Sequence, residues 1–197
     1  MKLALGVKAH SGWAALVAVG RSGKEYQVID RRRIELIDEG EPWARQPYHA
    51  TEHLNADQAR AKVKRAVEMV HRVAEEQMRQ AIAWAKESKH EVAACAVLVP
   101  EPMPAWTTEE ILAVHFRMHK AEGVLFPDAL CRATERCKIA LVKVAEKELE
   151  ARAAQDLSMP LCDIAEKIAV LGKTAGPPWA KDQKTAALAA MIAIQSS

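Results

Sequence analysis

Apolar runs separated by turn residues dominate the first forty positions and predict three β-strands. Residues 2–9 and 12–20 are rich in Val, Ala and Leu, and the turn between them contains Gly12. A third apolar segment, residues 26–37, is interrupted by three consecutive arginines, which is typical of a strand at or near a sheet edge. We therefore expect the chain to open with three antiparallel strands.

A long loop, a long helix and a buried strand are predicted next. Residues 39–54 hold prolines, aromatic residues and two histidines without any period, which indicates an ordered loop. Asn55 begins a capping sequence, and apolar residues then keep helical spacing to about Ser88. Residues 91–100 form an apolar run that ends at Pro100, which predicts a strand buried on both faces.

The remaining chain predicts one more strand among several helices. A helix starts at Thr107, and we expect Pro127 to kink or interrupt it before it resumes to about Cys137. A short strand follows at 139–144. Three more helices are predicted, at about 145–154, 160–171 and 182–194. This order favours a three-layer α/β fold in which helices flank a mixed five-stranded sheet.

Composition narrows the class of protein. The chain has 197 residues, 50% of them hydrophobic and 27% charged, which is enough for one domain over residues 1–197. The net charge of +2 gives no strong field to attract nucleic acid. The amino terminus reaches Lys8 too early for a secretory signal, and no apolar stretch is long enough to span a membrane. We expect a cytoplasmic protein.

The cysteines show no pattern of a disulfide framework or a zinc ribbon. They are scattered along the chain without any Cys-x-x-Cys pair. We expect reduced, buried thiols at all four positions, which are Cys95, Cys131, Cys137 and Cys162.

Three stretches of the chain resemble the RuvC-type Holliday junction resolvases of the ribonuclease H-like superfamily. Residues 3–20, LALGVKAHSGWAALVAVG, are similar to their first hairpin, in which an aspartate follows the first strand. Residues 119–130, HKAEGVLFPDAL, resemble their second helix, where a small-x-Gly stretch lets the helix pack close to the sheet. Residues 181–194, KDQKTAALAAMIAI, resemble their carboxyl-terminal helix. The likeness spans most of the chain and implies a ribonuclease H-like fold.

The resemblance also implies a degenerate active site. In that family, three or four carboxylates hold two magnesium ions that activate water and stabilise the leaving oxygen. The matching positions here are Lys8 on the first strand, Glu101 just past the fourth strand, and Asp182 on the last helix, followed by Gln183 or Ala186. Because a lysine and two separated acids cannot surround two hard cations, we expect no two-metal nuclease activity, no metal there and no cofactor.

Lys8 itself has three interpretations. In the first, its ammonium pairs with Asp182 across the former active site, and in the second it binds an anion at the end of the first strand. The third interpretation is that the side chain leans into solvent at a strand end.

A second set of polar residues shares one face of a predicted helix. His115, His119 and Glu122 lie at positions i, i+4 and i+7, so they either bind a metal or hydrogen-bond the backbone in the cleft between helix and sheet. The H-E-x-x-H pattern lacks its glutamate, since Phe116 occupies that position. Both sets together define the candidate cleft, made of Lys8, His10, Glu101, His115, His119, Glu122 and Asp182.

Two further motifs each have a structural and a functional interpretation. Trp179, in the loop 173–180, is either a hydrophobic anchor before a helix cap at Asp182 or part of a poor phosphate cradle. The run Arg31–Arg33 either protects a strand edge from aggregation or contacts phosphates.

These residues predict a catalytically degenerate ribonuclease H-like domain that acts as a binding or structural module. The modest charge favours a protein partner or self-association, such as a homodimer, over nucleic acid, and no membrane is expected. The alternative is an enzyme that reuses the cleft, either a divergent nuclease or a hydrolase with His115 or His119 as base. Polar groups around an open pocket would favour the enzyme, whereas mutually paired groups would favour the binding module.

Overall fold

A five-stranded mixed sheet forms the centre of the computed structural model, which describes residues 1–23 and 25–195. Residues 24, 196 and 197, which the predicted domain over 1–197 includes, lie outside the described residues. The strands are β1 (Lys2–His10), β2 (Trp13–Ser22), β3 (Glu25–Glu35), β4 (Glu91–Val99) and β5 (Ala140–Ala145).

The strand order is β3-β2-β1-β4-β5. Strands β1, β2 and β3 are antiparallel neighbours, and β4 and β5 continue the sheet parallel to β1. This arrangement confirms the predicted mixed sheet with three antiparallel strands first. It also confirms that β3, which carries the three arginines, lies at an edge.

Within the described residues, six α-helices and three short 3-10 turns connect and cover these strands. The 3-10 turns are Pro42–Arg45, His49–Thr51 and Glu146–Glu148. The helices are α1 (Ala56–Glu87), α2 (Thr108–Leu112), α3 (His115–Arg136), α4 (Leu149–Asp156), α5 (Leu161–Ala175) and α6 (Lys181–Gln195). In the described ranges, none of these helices combines the length and the apolar character that crossing a bilayer requires.

The two faces of the central strand β1 bury side chains of different size. On β1, Leu3, Leu5 and Val7 point into a core shared with α1 and α3. The alternate residues Ala4 and Gly6 point toward α6, since successive side chains on a strand face opposite sides. Strand β1 therefore packs large side chains against α1 and α3, and small residues against α6.

The interruption of the second predicted helix occurs before Pro127 and not at it. Ala113 and Val114 separate α2 from α3, and Val114 has extended backbone angles of φ −140° and ψ 114°. Pro127 lies inside α3, so the expectation that it interrupts the helix was wrong. The lost backbone hydrogen bond and the ring clash cost about 3 kcal/mol, and burial of Leu125, Phe126 and other apolar residues of α3 offsets that cost.

Close helix-to-sheet packing occurs at a different glycine from the one expected. A Cβ on Gly123 of α3 would meet no atom of another element within 4 Å, so no described element packs closely against this glycine. A Cβ on Gly6 of β1 would lie 1.8 Å from the carbonyl oxygen of Ala186 in α6. Every residue from Ala186 to Ile194 is buried, which is typical of a helix that is apolar all round.

The cysteines are all free thiols, and burial separates them. Cys95 and Cys131 are buried, and the loss of solvent raises the pKa of their thiols to about 12 and about 11. Cys137 is half-buried, whereas Cys162 is exposed, so the expectation of four buried thiols was wrong at Cys162.

The contact at Gly6 makes a sharp prediction about stability. Gly6→Ala should lower the free energy of unfolding by about 3 kcal/mol, because the added methyl group collides with backbone and α6 must shift. Gly123→Ala is the matched control, since its methyl group enters open space in a helix and should change stability by less than about 1 kcal/mol, in the stabilising direction. Urea unfolding followed by circular dichroism measures both. Equal stability of the two variants would contradict the close packing.

Candidate functional site

One edge of the sheet collects most of the residues that the resemblance singles out. The parallel strands β1, β4 and β5 end at this edge, and α6 begins beside it. We call it the carboxyl edge. Close acid–base contacts at this edge join Lys8 with Glu146, His10 with Asp182, and Lys147 with Glu101.

Lys8 lies on the α6 side of β1 and pairs with Glu146. Its Nζ contacts Glu146 Oε2, and Glu146 directly follows the last residue of β5. The Lys8 side chain is 15% exposed and that of Glu146 is 48% exposed, so the pair lies partly out of solvent. This contact replaces the predicted pairing of Lys8 with Asp182. Glu146 was missed in the sequence, although its position just after a predicted strand could have pointed to it.

Asp182 contacts His10 instead. The distance from His10 Nε2 to Asp182 Oδ1 is 3.1 Å. The His10 ring also stacks on Trp13, with ring centroids 4.4 Å apart and an angle of 14° between the planes. The guanidinium of Arg33 lies 4.0 Å from the centroid of the Trp13 ring and makes a cation–π contact with it. The hairpin turn between β1 and β2 therefore stacks the Trp13 ring against the His10 ring.

Glu101 completes the edge and has its own cation. It follows β4 and pairs with Lys147 in the turn after β5. The hydrogen bond from Lys147, together with the charges of Lys147 and Lys120, holds the pKa of Glu101 below its ordinary value. The three acids of the carboxyl edge thus face three different basic groups.

The other residues of the predicted cleft gather around the long loop. His115 and His119 of α3 approach His49, which lies in the 3-10 turn His49–Thr51. We call these three residues the histidine cluster. Among residues 1–23 and 25–195, this is the group of three His, Cys, Asp or Glu side chains close enough to share an ion. In that same part of the chain, no hydrogen bond, ion pair or ring contact links the cluster to the acids of the carboxyl edge.

Glu122 is buried beneath the cluster and binds the loop. Its Oε1 accepts hydrogen bonds from the backbone N–H groups of Tyr48 and His49, at 3.1 and 3.2 Å. Its Oε2 lies 2.8 Å from Nδ1 of His49. The Glu122 side chain is only 4% exposed. Burial, with a further contribution from the negative charge of Glu122, raises the pKa of the neighbouring Tyr48. His49 was missed in the sequence because an aperiodic loop gives no clue to which side chains face the helix.

Trp179 and Arg31 hold the segment that leads into α6. The Trp179 ring packs against Gly172 of α5, and its Nε1 donates a hydrogen bond to the carbonyl of Ile168 at 3.1 Å. Arg31 donates to the carbonyls of Pro177 and Pro178, at 2.8 and 2.6 Å. Trp179 is therefore an anchor on α5.

The start of α6 differs from the predicted cap, and Arg32 and Arg33 each contact an acid of the same strand. The backbone N–H of Ala180 donates to Oε1 of Gln183 at 3.0 Å, so the helix cap lies at Ala180 and not at Asp182. Arg32 contacts Asp30, and Arg33 contacts Glu35, at 2.5 and 2.6 Å. The arginine run is thus engaged within the fold.

A double-mutant cycle measures the Lys8–Glu146 contact. Lys8→Met and Glu146→Gln should show a coupling free energy of about 1 kcal/mol, since Lys8 is largely shielded, and 1 M NaCl should reduce it. The same cycle on the exposed pair Lys64–Glu68 is the control and should give about 0.3 kcal/mol. Urea unfolding of the variants provides the values. A coupling at Lys8 no larger than the control would show that the pair is not a structural contact.

Comparisons with known proteins identify the architecture. No family model and no curated protein sequence matches this chain. The "Thermus thermophilus RuvC structure" matches with a TM-score of 0.51 and 11% sequence identity, covering 96% of this chain and 92% of that chain. T. thermophilus RuvC in complex with a Holliday junction substrate is similar at 10% identity and a TM-score of 0.49, over 98% of this chain and 92% of that one. With its strand order and flanking helices, the chain has the ribonuclease H-like α/β fold of RuvC.

Proposed function

We propose that this chain is a binding or structural module on a ribonuclease H-like fold and has no two-metal nuclease activity. The observation that carries this proposal is the contact of Lys8 with Glu146 at the carboxyl edge. A lysine stands on the central strand at the position where the resemblance expects a carboxylate.

Electrostatics at the carboxyl edge support the proposal. Two unit charges 4 Å apart interact by about 4 kcal/mol at an effective dielectric constant of 20, and a divalent ion doubles the repulsion from the Lys8 ammonium. Magnesium also needs several oxygen ligands in near-octahedral geometry. Glu101, Glu146 and Asp182 each face a separate basic group, which a metal ion would have to displace.

The charge distribution favours a protein partner or a second copy of the chain over nucleic acid. The net charge is only +2, and the arginine run on β3 is occupied by carbonyls, acids and aromatic rings of the same chain. Phosphate backbones are bound mainly by lysines and arginines that are free to displace counterions. The mutual pairing at the carboxyl edge also supports binding over reuse of the edge for catalysis.

A cleavage assay tests the absence of nuclease activity. The protein is incubated with four-way junction, duplex and single-stranded DNA in Mg²⁺ or Mn²⁺, next to Asp182→Asn and to a metal-dependent resolvase as positive control. We expect no product above the Asp182→Asn background, because Glu146 and Asp182 already contact Lys8 and His10. Turnover by the unmodified protein that Asp182→Asn abolishes would overturn the proposal.

A binding experiment tests the choice of partner. Fluorescence anisotropy with four-way junction and duplex DNA should show no preference between them and no binding tighter than the non-specific range of about 10⁻⁴ to 10⁻⁶ M at physiological salt. Junction binding that is ten-fold tighter than duplex binding would contradict the expectation of a protein partner or self-association.

A further inference from the structure

We infer that His49, His115 and His119 bind a divalent transition-metal ion of the zinc type, with Glu122 as the residue that orients His49. This inference is independent of the proposed function, because the histidine cluster shares no residue with the acid–base contacts of the carboxyl edge.

The distances within the cluster suit one shared ion. One ligand atom from each histidine lies within 4.8 Å of the others, and Nε2 of His115 is 3.0 Å from Nε2 of His119. Two nitrogens bound to one tetrahedral zinc at 2.0–2.1 Å lie roughly 3.3 Å apart. The pair on α3 is thus already at the right spacing, because residues i and i+4 are neighbours on a helix surface.

His49 supplies a nitrogen prepared for the same ion. Its Nδ1 is engaged by Glu122 at 2.8 Å, which leaves Nε2 as the free ligand atom. That Nε2 is buried and makes no hydrogen bond. Buried polar atoms without a partner are rare, and each calls for a specific explanation. A metal ion shared with His115 and His119 would give this nitrogen a partner.

Glu122 has the contacts of an outer-shell carboxylate. Metal-binding histidines usually donate their other ring N–H to a carboxylate, which sets the tautomer and the ring orientation. Glu122 accepts this donation and is itself held by the backbone N–H groups of Tyr48 and His49. A divalent ion would also balance its buried negative charge, and Glu52, 3.8 Å from Nδ1 of His115, adds a second acid at the rim.

The three ligands join two segments that are distant in sequence. His49 belongs to the loop between β3 and α1, whereas His115 and His119 belong to the first turns of α3. Phe116, 69% exposed, stands where a helical zinc protease motif would place its general base. The ion's role is therefore to hold the loop against α3.

Metal titration of the chelator-treated protein tests the site. Zinc uptake is measured by elemental analysis and by competition with a chromophoric chelator, and Co²⁺ serves as the spectroscopic probe for tetrahedral geometry. We expect one ion per chain, and a rise in melting temperature of about 5 °C or more when free zinc is 100-fold above its dissociation constant.

Three variants assign the ligands and the orienting residue. His119→Ala removes an exposed ligand without disturbing the core and should weaken binding at least 100-fold. Glu122→Gln should weaken it about 10–100-fold by releasing His49. His53→Ala changes an exposed histidine of the same loop that lies outside the cluster, and it should leave the affinity within two-fold.

Four outcomes would contradict the site or one of its assigned residues. No stoichiometric zinc or cobalt at micromolar metal would overturn the site, and so would unchanged affinity in His119→Ala. A loss in His53→Ala as large as in His119→Ala would overturn the choice of ligands. Unchanged affinity in Glu122→Gln would remove Glu122 from its orienting role.

Discussion

The contact between α6 and β1 at Gly6 determines how the residues of the carboxyl edge are arranged. Because Gly6 has no side chain, the backbone of α6 at Ala186 lies directly on the central strand. The helix then runs over the sheet with its middle and final turns buried and its first turn beside the carboxyl edge. Asp182 reaches His10 only because the helix lies this close. A side chain at position 6 would lift α6 and separate the two residues.

The strand on which α6 packs also carries Lys8 at the carboxyl edge. Lys8 and His10 follow Gly6 on the α6 side of β1, where successive side chains alternate between faces. Their partners are Glu146, in the 3-10 turn after β5, and Asp182, in the first turn of α6. Each of these two acids thus contacts a basic group of β1. On α3, buried Glu122 has a different contact, since it engages Nδ1 of His49 and leaves Nε2 of that ring for the proposed ion.

Periodicity predicted most of the fold, and long-range partners explain what it missed. The buried strand β4 and the helix α1, capped by Asn55, follow from local patterns that burial and capping impose. Pro127 was misjudged because tertiary burial of α3 outweighs a local penalty. Lys8 contacts Glu146 and not the predicted Asp182, because several acids near the carboxyl edge were equivalent in sequence. His49 could not be connected to α3, since a loop without a period carries no register.

We propose that the carboxyl edge has no affinity for hard divalent ions, whereas the histidine cluster binds softer ones. Anomalous diffraction from crystals soaked in Mn²⁺ and, separately, in Zn²⁺ tests it most directly. The account predicts a zinc peak among His49, His115 and His119 and no manganese peak beside Asp182. A manganese peak at Asp182 and Glu101, with no zinc in the histidine cluster, would contradict it.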